Sequence, residues 1–181
     1  MATILPLDPS QASPEVAPIL QAVKAKLGRV PNLFLTLAKA PAALKAYLGA
    51  SEALTSGHLD AQQREVIALA VAEANGCEYC LAAHSAIGKM VGLDADTILQ
   101  ARSGVPVNGR QAALTAFARA VVRERGQVSA LDLQATREGG LDDQDLLEVV
   151  ANVAVNILTN YTNLVADTVV DFPTVERLVQ V

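Results

Sequence analysis

The stretch Glu65–His84, EVIALAVAEANGCEYCLAAH, decides how this chain is read. It holds both cysteines, one of the two histidines and three glutamates. Upstream, Asp60 followed three residues later by Gln63 is a capping-box signal for a helix that reaches Asn75. Gly76 breaks that helix, and Cys77 opens the next. Residues three, four and seven apart share one face of a helix, so Cys77, Cys80 and His84 line a single stripe. That is the spacing a thiol pair and its base require. Two helices meeting at a glycine, with no strand alternation here or elsewhere, predict an all-α domain.

Working outward, glycines and caps punctuate further helices. Ser13 with Pro14 at the first helical position opens one that Gly28 closes. A short helix is expected from Asn32 to Ala40, and another from Pro41 to near Gly57. The cysteine helix ends at Gly92, and Asp94 caps a short one to about Arg102. A longer helix is expected from Asn108 to Arg125, one from Ser129 to Gly139, and a last one from Asp142 towards Val170. GLDADTIL (Gly92–Leu99) echoes GLDDQDLL (Gly140–Leu147), and Leu-Asp pairs recur at Leu59–Asp60 and Leu131–Asp132. A leucine staple with an aspartate N-cap explains all four, while the longer match leaves a duplicated helical unit open.

The 181 residues suit one domain with a sizeable core. Half are apolar, aromatics are scarce and tryptophan is absent, so Ala, Val and Leu supply the bulk for closely packed helices. The mean hydropathy is positive, which predicts apolar faces covered by partner subunits. A net charge of −5 with no basic run disfavours nucleic acid. The apolar stretch Leu146–Val170 is interrupted by Glu148, Asn152, Asn156, Asn160 and Asp167 and makes a poor membrane span. MATILPLDPS lacks the pattern of a signal peptide, so a cytoplasmic protein is expected, in which a close cysteine pair reads as redox-active or metal-binding.

A thiol becomes a nucleophile as the thiolate. Cys77, at a helix N-terminus, gains from the free N–H groups and the macrodipole; Cys80 has His84 one turn on to accept its proton. The two effects select different cysteines. Glu65 is the candidate to orient His84, with Glu73 as its competitor; Glu73 lies at a helix C-terminus, where an anion is disfavoured and a solvated end is the expectation. Periodicity does not choose between the two.

The pattern Glu65, eleven residues, Cys77-x-x-Cys80, three residues, His84 resembles alkylhydroperoxidase D and its carboxymuconolactone decarboxylase-like superfamily. GRVPNLF (Gly28–Phe34) and TNYTNLVADT (Thr159–Thr168) further resemble the group of uncharacterised peroxidase-related proteins. The resemblance implies one alkylhydroperoxidase D-like helical domain over 1–181: an N-terminal helical extension (1–57), a core with the C-x-x-C motif (58–104) and C-terminal helices (105–181). It implies a thiol-dependent peroxidase in which Cys80 attacks a hydroperoxide, with His84 and Glu65 as proton relay and Cys77 closing the disulfide. It also implies a dithiol reductant, a lipoyl protein or a thioredoxin-like one, and a homotrimer or homohexamer with no cofactor. One position departs: the histidine that the family places immediately before the second cysteine is Tyr79, whose phenol can donate a hydrogen bond but is a poor base near neutral pH.

Other readings stand beside this one. Zinc wants four N/S ligands; only Cys77, Cys80, His84 and His58 are available, and His58, read as a solvated loop residue, precedes the earlier helix. Leu81 after the second cysteine disfavours haem attachment. A lactone decarboxylase of the same superfamily generally lacks the C-x-x-C, whereas a dithiol adaptor or sensor keeps every residue. Asn152, Asn156, Asn160, Asn163 and Asp167 form a polar ladder on the last helix. It reads as a core or interface network, or else Asn160 or Asn163 borders the substrate cavity.

Overall fold

Among the described residues, side-chain caps begin five of the α-helices. In the computed structural model, which describes residues 2–104 and 109–178, Asp60 accepts from Gln63 N at 2.8 Å and Gln63 Oε1 accepts from Asp60 N at 3.0 Å. This completes the capping box of α4 (Ala61–Asn75). Cys77 caps α5 (Glu78–Met90), Asp94 caps α6 (Ala95–Ser103), Ser129 caps α8 (Ala130–Glu138), and Asp142 with Asp145 makes a second capping box on α9 (Asp143–Ala166). The remaining helices are α1 (Ala17–Leu27), α2 (Asn32–Leu37), α3 (Pro41–Thr55) and α7 (Arg110–Arg123). No strand occurs among the described residues, so the fold is all-α.

Four boundaries differ from expectation. Ser13 Oγ accepts from Val16 N across a turn, and α1 begins only at Ala17, with Pro18 rather than Pro14 in its first turn. The helix at Asn32 stops at Leu37, three residues short. The last helix stops at Ala166, because Asp167 turns into the left-handed region (φ 49°) and Thr168 N caps back onto Asn163 O at 3.0 Å. The expected start at Asn108 lies outside the described residues, and α7 is capped at Gly109. The four-site leucine–aspartate rule holds at three sites. Leu59, Leu93 and Leu141 are buried beside capping aspartates. Leu131 is 78% exposed and lies inside α8, where Ser129 is the cap and Asp132 its N3 partner. Start chemistry therefore explains the internal echo: the two units continue into helices of 9 and 24 residues.

Helix α4 is the hub, packing against α5, α6, α7 and α9. Every residue from Val66 to Glu73 is buried, which is why this helix has no polar face and its periodicity says little. Ile67 and Val71 meet Leu114, Phe117, Val149 and Val153 of α7 and α9. Val66 and Leu69 meet Ile98 of α6. A separate core joins Leu20, Leu33, Leu37 and Leu44 to Tyr79, Cys80 and Leu81. Truncating a fully buried side chain such as Leu81 to Ala costs about 2–5 kcal/mol. Helix α9 has the length and apolar content of a membrane span, yet it packs against α2, α3, α4, α5 and α7.

Beyond α9 the chain runs back as a strap. Asp171 accepts from Asn32 N at 3.1 Å and pairs with Arg29; Phe172 lies under the Arg29 guanidinium (4.5 Å) and edge-on to Tyr79 (5.7 Å). Farther on, Arg102 donates to Glu176 O, and Leu178 N donates to Glu73 Oε1. The strap thus crosses α2 and the start of α5 to reach the end of α4.

Candidate active site

The turn between α4 and α5 builds the site. Gly76 adopts φ 65°, a left-handed backbone that favours glycine. The turn leaves Cys77 as N-cap, its sulfur accepting from Cys80 N at 3.4 Å. A cap residue and the residue three on are neighbours, so the C-x-x-C spacing puts both thiols on one turn. Both are free thiols and almost wholly buried.

The two thiols are pushed in opposite directions. The hydrogen bond from the Cys77 thiol does most to hold the Cys80 pKa below its ordinary value; burial opposes it, and Asn163, Asn160 and Thr159 add to the lowering. Asn163 Nδ2 donates to Cys80 Sγ at 3.3 Å, and Asn160 is oriented by Asn75 Nδ2 at 2.9 Å. Cys77 goes well above its ordinary value, first because its proton is shared with Cys80 and then because it is buried. The Cys80 N–H at the helix N-terminus works the other way at Cys77, but these two effects outweigh it.

His84 Nδ1 lies 2.8 Å from Glu65 Oε2, with side chains 20% and 15% exposed. Burial pulls the imidazole pKa down, but the charge and hydrogen bond of Glu65 outweigh it and the net direction is up. The structure thus brings Glu65, Cys77, Cys80 and His84 into one site. Glu73 is elsewhere: far from being a solvated helix end, it is 1% exposed and pairs with Arg102 Nε at 2.9 Å. The helix C-terminus is tolerable for this anion because the guanidinium and the strap's N–H neutralise it. Tyr79 adjoins the site, but its hydroxyl accepts from Leu33 N at 3.1 Å and faces Asp171; burial pushes its pKa far up. His58 is half-exposed rather than simply solvated, with Nδ1 at 3.0 Å from Asp145, a carboxylate that Arg110 also holds. The cluster His58, Asp142, Asp145 already contains that cation as counter-charge.

Cys80, His84 and Glu65 open onto a cavity of about 410 Å³, walled by apolar side chains of α1 to α3 such as Leu27, Phe34, Leu48 and Leu54. From α9 it takes Asn152, Asn156 and Thr159. The ladder is hydrogen-bonded as expected of a core network, but the asparagines that border this cavity are Asn152 and Asn156, not Asn160 or Asn163. Asn152 and Asn156 donate back to carbonyls one turn earlier, while Asn163 and Asn160 attend Cys80. Tyr47 was not foreseen. It lines the cavity, and its pKa is pushed up to about 12 by burial and then by the charges of Cys80 and Glu65. No motif marks it, since it comes from α3, far from the cysteines in sequence.

Residues 41–124 match the carboxymuconolactone decarboxylase family. No significant match exists among curated proteins. Among solved structures, the chain is similar to an uncharacterised peroxidase-related protein with an alkylhydroperoxidase AhpD core from Ralstonia eutropha JMP134: 28% identity, TM-score 0.84, over 94% of this chain and 92% of that one. An uncharacterised peroxidase-related protein from Silicibacter sp. TM1040 gives 24% identity and TM-score 0.78, over 92% of each chain. A cysteine-to-alanine variant of the debrominase Bmp8, in complex with 2,3,4-tribromopyrrole, gives 22% identity and TM-score 0.79, over 93% of this chain and 91% of that one. Residues 41–124 thus resemble the carboxymuconolactone decarboxylase family, within an all-α fold that the chain shares over nearly its whole length with an alkylhydroperoxidase AhpD-core structure.

Proposed function

We propose that this protein is a thiol-dependent peroxidase acting on organic hydroperoxides through a Cys77/Cys80 dithiol–disulfide cycle. The observation that carries the reading is the pairing of a lowered-pKa thiol in a cavity wall with a second thiol hydrogen-bonded to it one turn away. The Cys80 thiolate attacks the terminal peroxide oxygen and the O–O bond breaks. The alkoxide leaves as alcohol, taking a proton from His84, and Cys80 becomes a sulfenic acid. Cys77 then attacks the Cys80 sulfur. Hydroxide departs with the Cys77 proton as water, and the disulfide closes. Glu65 holds His84 in orientation and raises its basicity, and the apolar walls suit an alkyl or aryl group on the peroxide. Tyr79 has no part in the relay, since its hydroxyl serves Leu33 and Asp171. A dithiol returns the pair to the reduced state.

The test is dimedone labelling after one equivalent of cumene hydroperoxide. Cys77→Ser should trap a sulfenic acid at Cys80, and Cys80→Ser should consume no peroxide. Labelling of Cys77 in the Cys80→Ser protein, with none of Cys80 in the reciprocal variant, reverses the assignment.

A further inference from the structure

The two cysteines border different pockets. The apolar cavity on one side is lined by Cys80 and not Cys77. A second pocket, of about 440 Å³, is lined by Cys77 and not Cys80. Its floor is the Gly76–Tyr79 turn, and its walls are Asn163 and Leu164 of α9 and the strap residues Thr168–Val170. The strap separates the two spaces: Val170 borders the second pocket, and Phe172, two residues on, borders the first. The second pocket is more polar in character and is rimmed by the exposed side chains of Glu78 and Asp167, whereas the first is largely greasy.

We propose that the pocket on the Cys77 side is the docking site of a small thiol reductant, so that oxidant and reductant reach the disulfide from opposite faces. The proposal rests on the dithiol cycle above and adds where and on which sulfur that cycle is reset. Exchange chemistry gives the same direction independently of the pockets. In disulfide exchange the sulfur that leaves best is the one whose thiolate is most stabilised. Here that sulfur is Cys80, which accepts from Asn163. Attack on Cys77 Sγ breaks the Cys77–Cys80 bond, forms a mixed disulfide at Cys77 and releases Cys80 as thiolate. The second thiolate of a dithiol then attacks the reductant's own sulfur in that mixed disulfide. It closes a cyclic disulfide and expels Cys77, which takes up a proton. Two electrons pass from dithiol to protein, and Cys80 is left ionised in the peroxide cavity for the next turnover. The separation also keeps a reducing thiol from competing with peroxide at Cys80.

The experiment uses the full chain with its disulfide formed by diamide, so that a protein inert to hydroperoxide overturns the peroxidase reading without touching this one. Brief reaction with excess cysteamine, followed by N-ethylmaleimide and peptide mass spectrometry, locates the mixed disulfide. The expected result is cysteamine on Cys77 and maleimide on Cys80; the reverse overturns the proposal. A second arm follows the rate of reduction by dithiothreitol. Val169 is 61% exposed at the wall of the Cys77 pocket, so Val169→Trp fills that pocket without disturbing the core and should slow reduction about tenfold or more. Thr55→Trp, at the exposed rim of the Cys80 cavity, should leave reduction within about twofold. Slowing by Thr55→Trp but not by Val169→Trp places the reductant on the Cys80 side and overturns the proposal.

Discussion

Asn163 donates to the sulfur of Cys80 at 3.3 Å across 83 residues of sequence. This bond joins the middle of the chain to its last helix and bears on a question the motif leaves open. Within the C-x-x-C helix, dipole and histidine arguments favour different cysteines. The amide from α9, together with the Cys77 thiol, stabilises negative charge at Cys80.

The first prediction concerns that amide. Asn163→Leu removes a donor to an anion and should raise the pH midpoint of Cys80 alkylation by about one pH unit. The measurement is iodoacetamide labelling of Cys80 against pH, resolved by peptide mass spectrometry in the chain that keeps Cys77, whose hydrogen bond does most to lower the Cys80 pKa. Because the Cys80 pKa is lowered, labelling of the parent should persist to lower pH than for an ordinary thiol and should fall as pH drops through the lowered value. An unchanged midpoint in the Asn163 variant removes that amide from the account.

Glu65→Gln and His84→Gln should each slow peroxide consumption about a hundredfold, the usual scale of general acid–base contributions. Glu65 also raises the His84 pKa, so Glu65→Gln should lower it. Protonation of His84 favours the fold while its pKa is raised. That contribution is full below the ordinary histidine value and fades as pH rises through the raised one. NMR titration of His84 in parent and variant reads the shift directly, and a pKa unmoved by loss of the carboxylate contradicts the pairing.

Arg102→Met leaves the Glu73 carboxylate buried without its main counter-charge and should destabilise the protein by about 3–5 kcal/mol. Denaturant unfolding checks this. The Cys80 alkylation profile of the still-folded variant should be unchanged, since Glu73 stands apart from the relay. A shifted profile with unaltered stability would give Glu73 the role assigned to Glu65.

The outer face of α9 presents Leu147, Val150, Leu158, Tyr161 and Val165 at spacings of three and four, or multiples of them, all exposed in the single chain. Assembly into a homotrimer or a hexamer of trimers is the proposed cover for this stripe. Light scattering should show an oligomer at micromolar concentration, and Tyr161→Glu should weaken it. A monomeric parent contradicts the assembly.

The helical fold was legible because its punctuation is local. Asp60–Gln63, Asp94, Ser129 and Asp142 cap where their sequence spacing says they should, and Gly28, Gly76 and Gly92 take the left-handed backbone that ends helices. Glu65, Cys77, Cys80 and His84 were legible because they share one helix–turn–helix. What stayed hidden depends on distant packing. Glu73 looked like a solvated end because nothing near it in sequence announces Arg102 or the strap that covers it. The choice between Glu65 and Glu73 was invisible to periodicity because α4 is enclosed on every side. Asn163 was visible as one rung of a ladder, while its aim at Cys80 required the crossing of α5 and α9. Tyr47 carried no signal at all.

The most direct measurement is intact-mass and thiol titration of the full chain before and after one equivalent of cumene hydroperoxide. The account predicts loss of both free thiols, a mass decrease of two hydrogens, and a Cys77–Cys80 disulfide that a dithiol reverses. Two titratable thiols and an unchanged mass under excess hydroperoxide would contradict it.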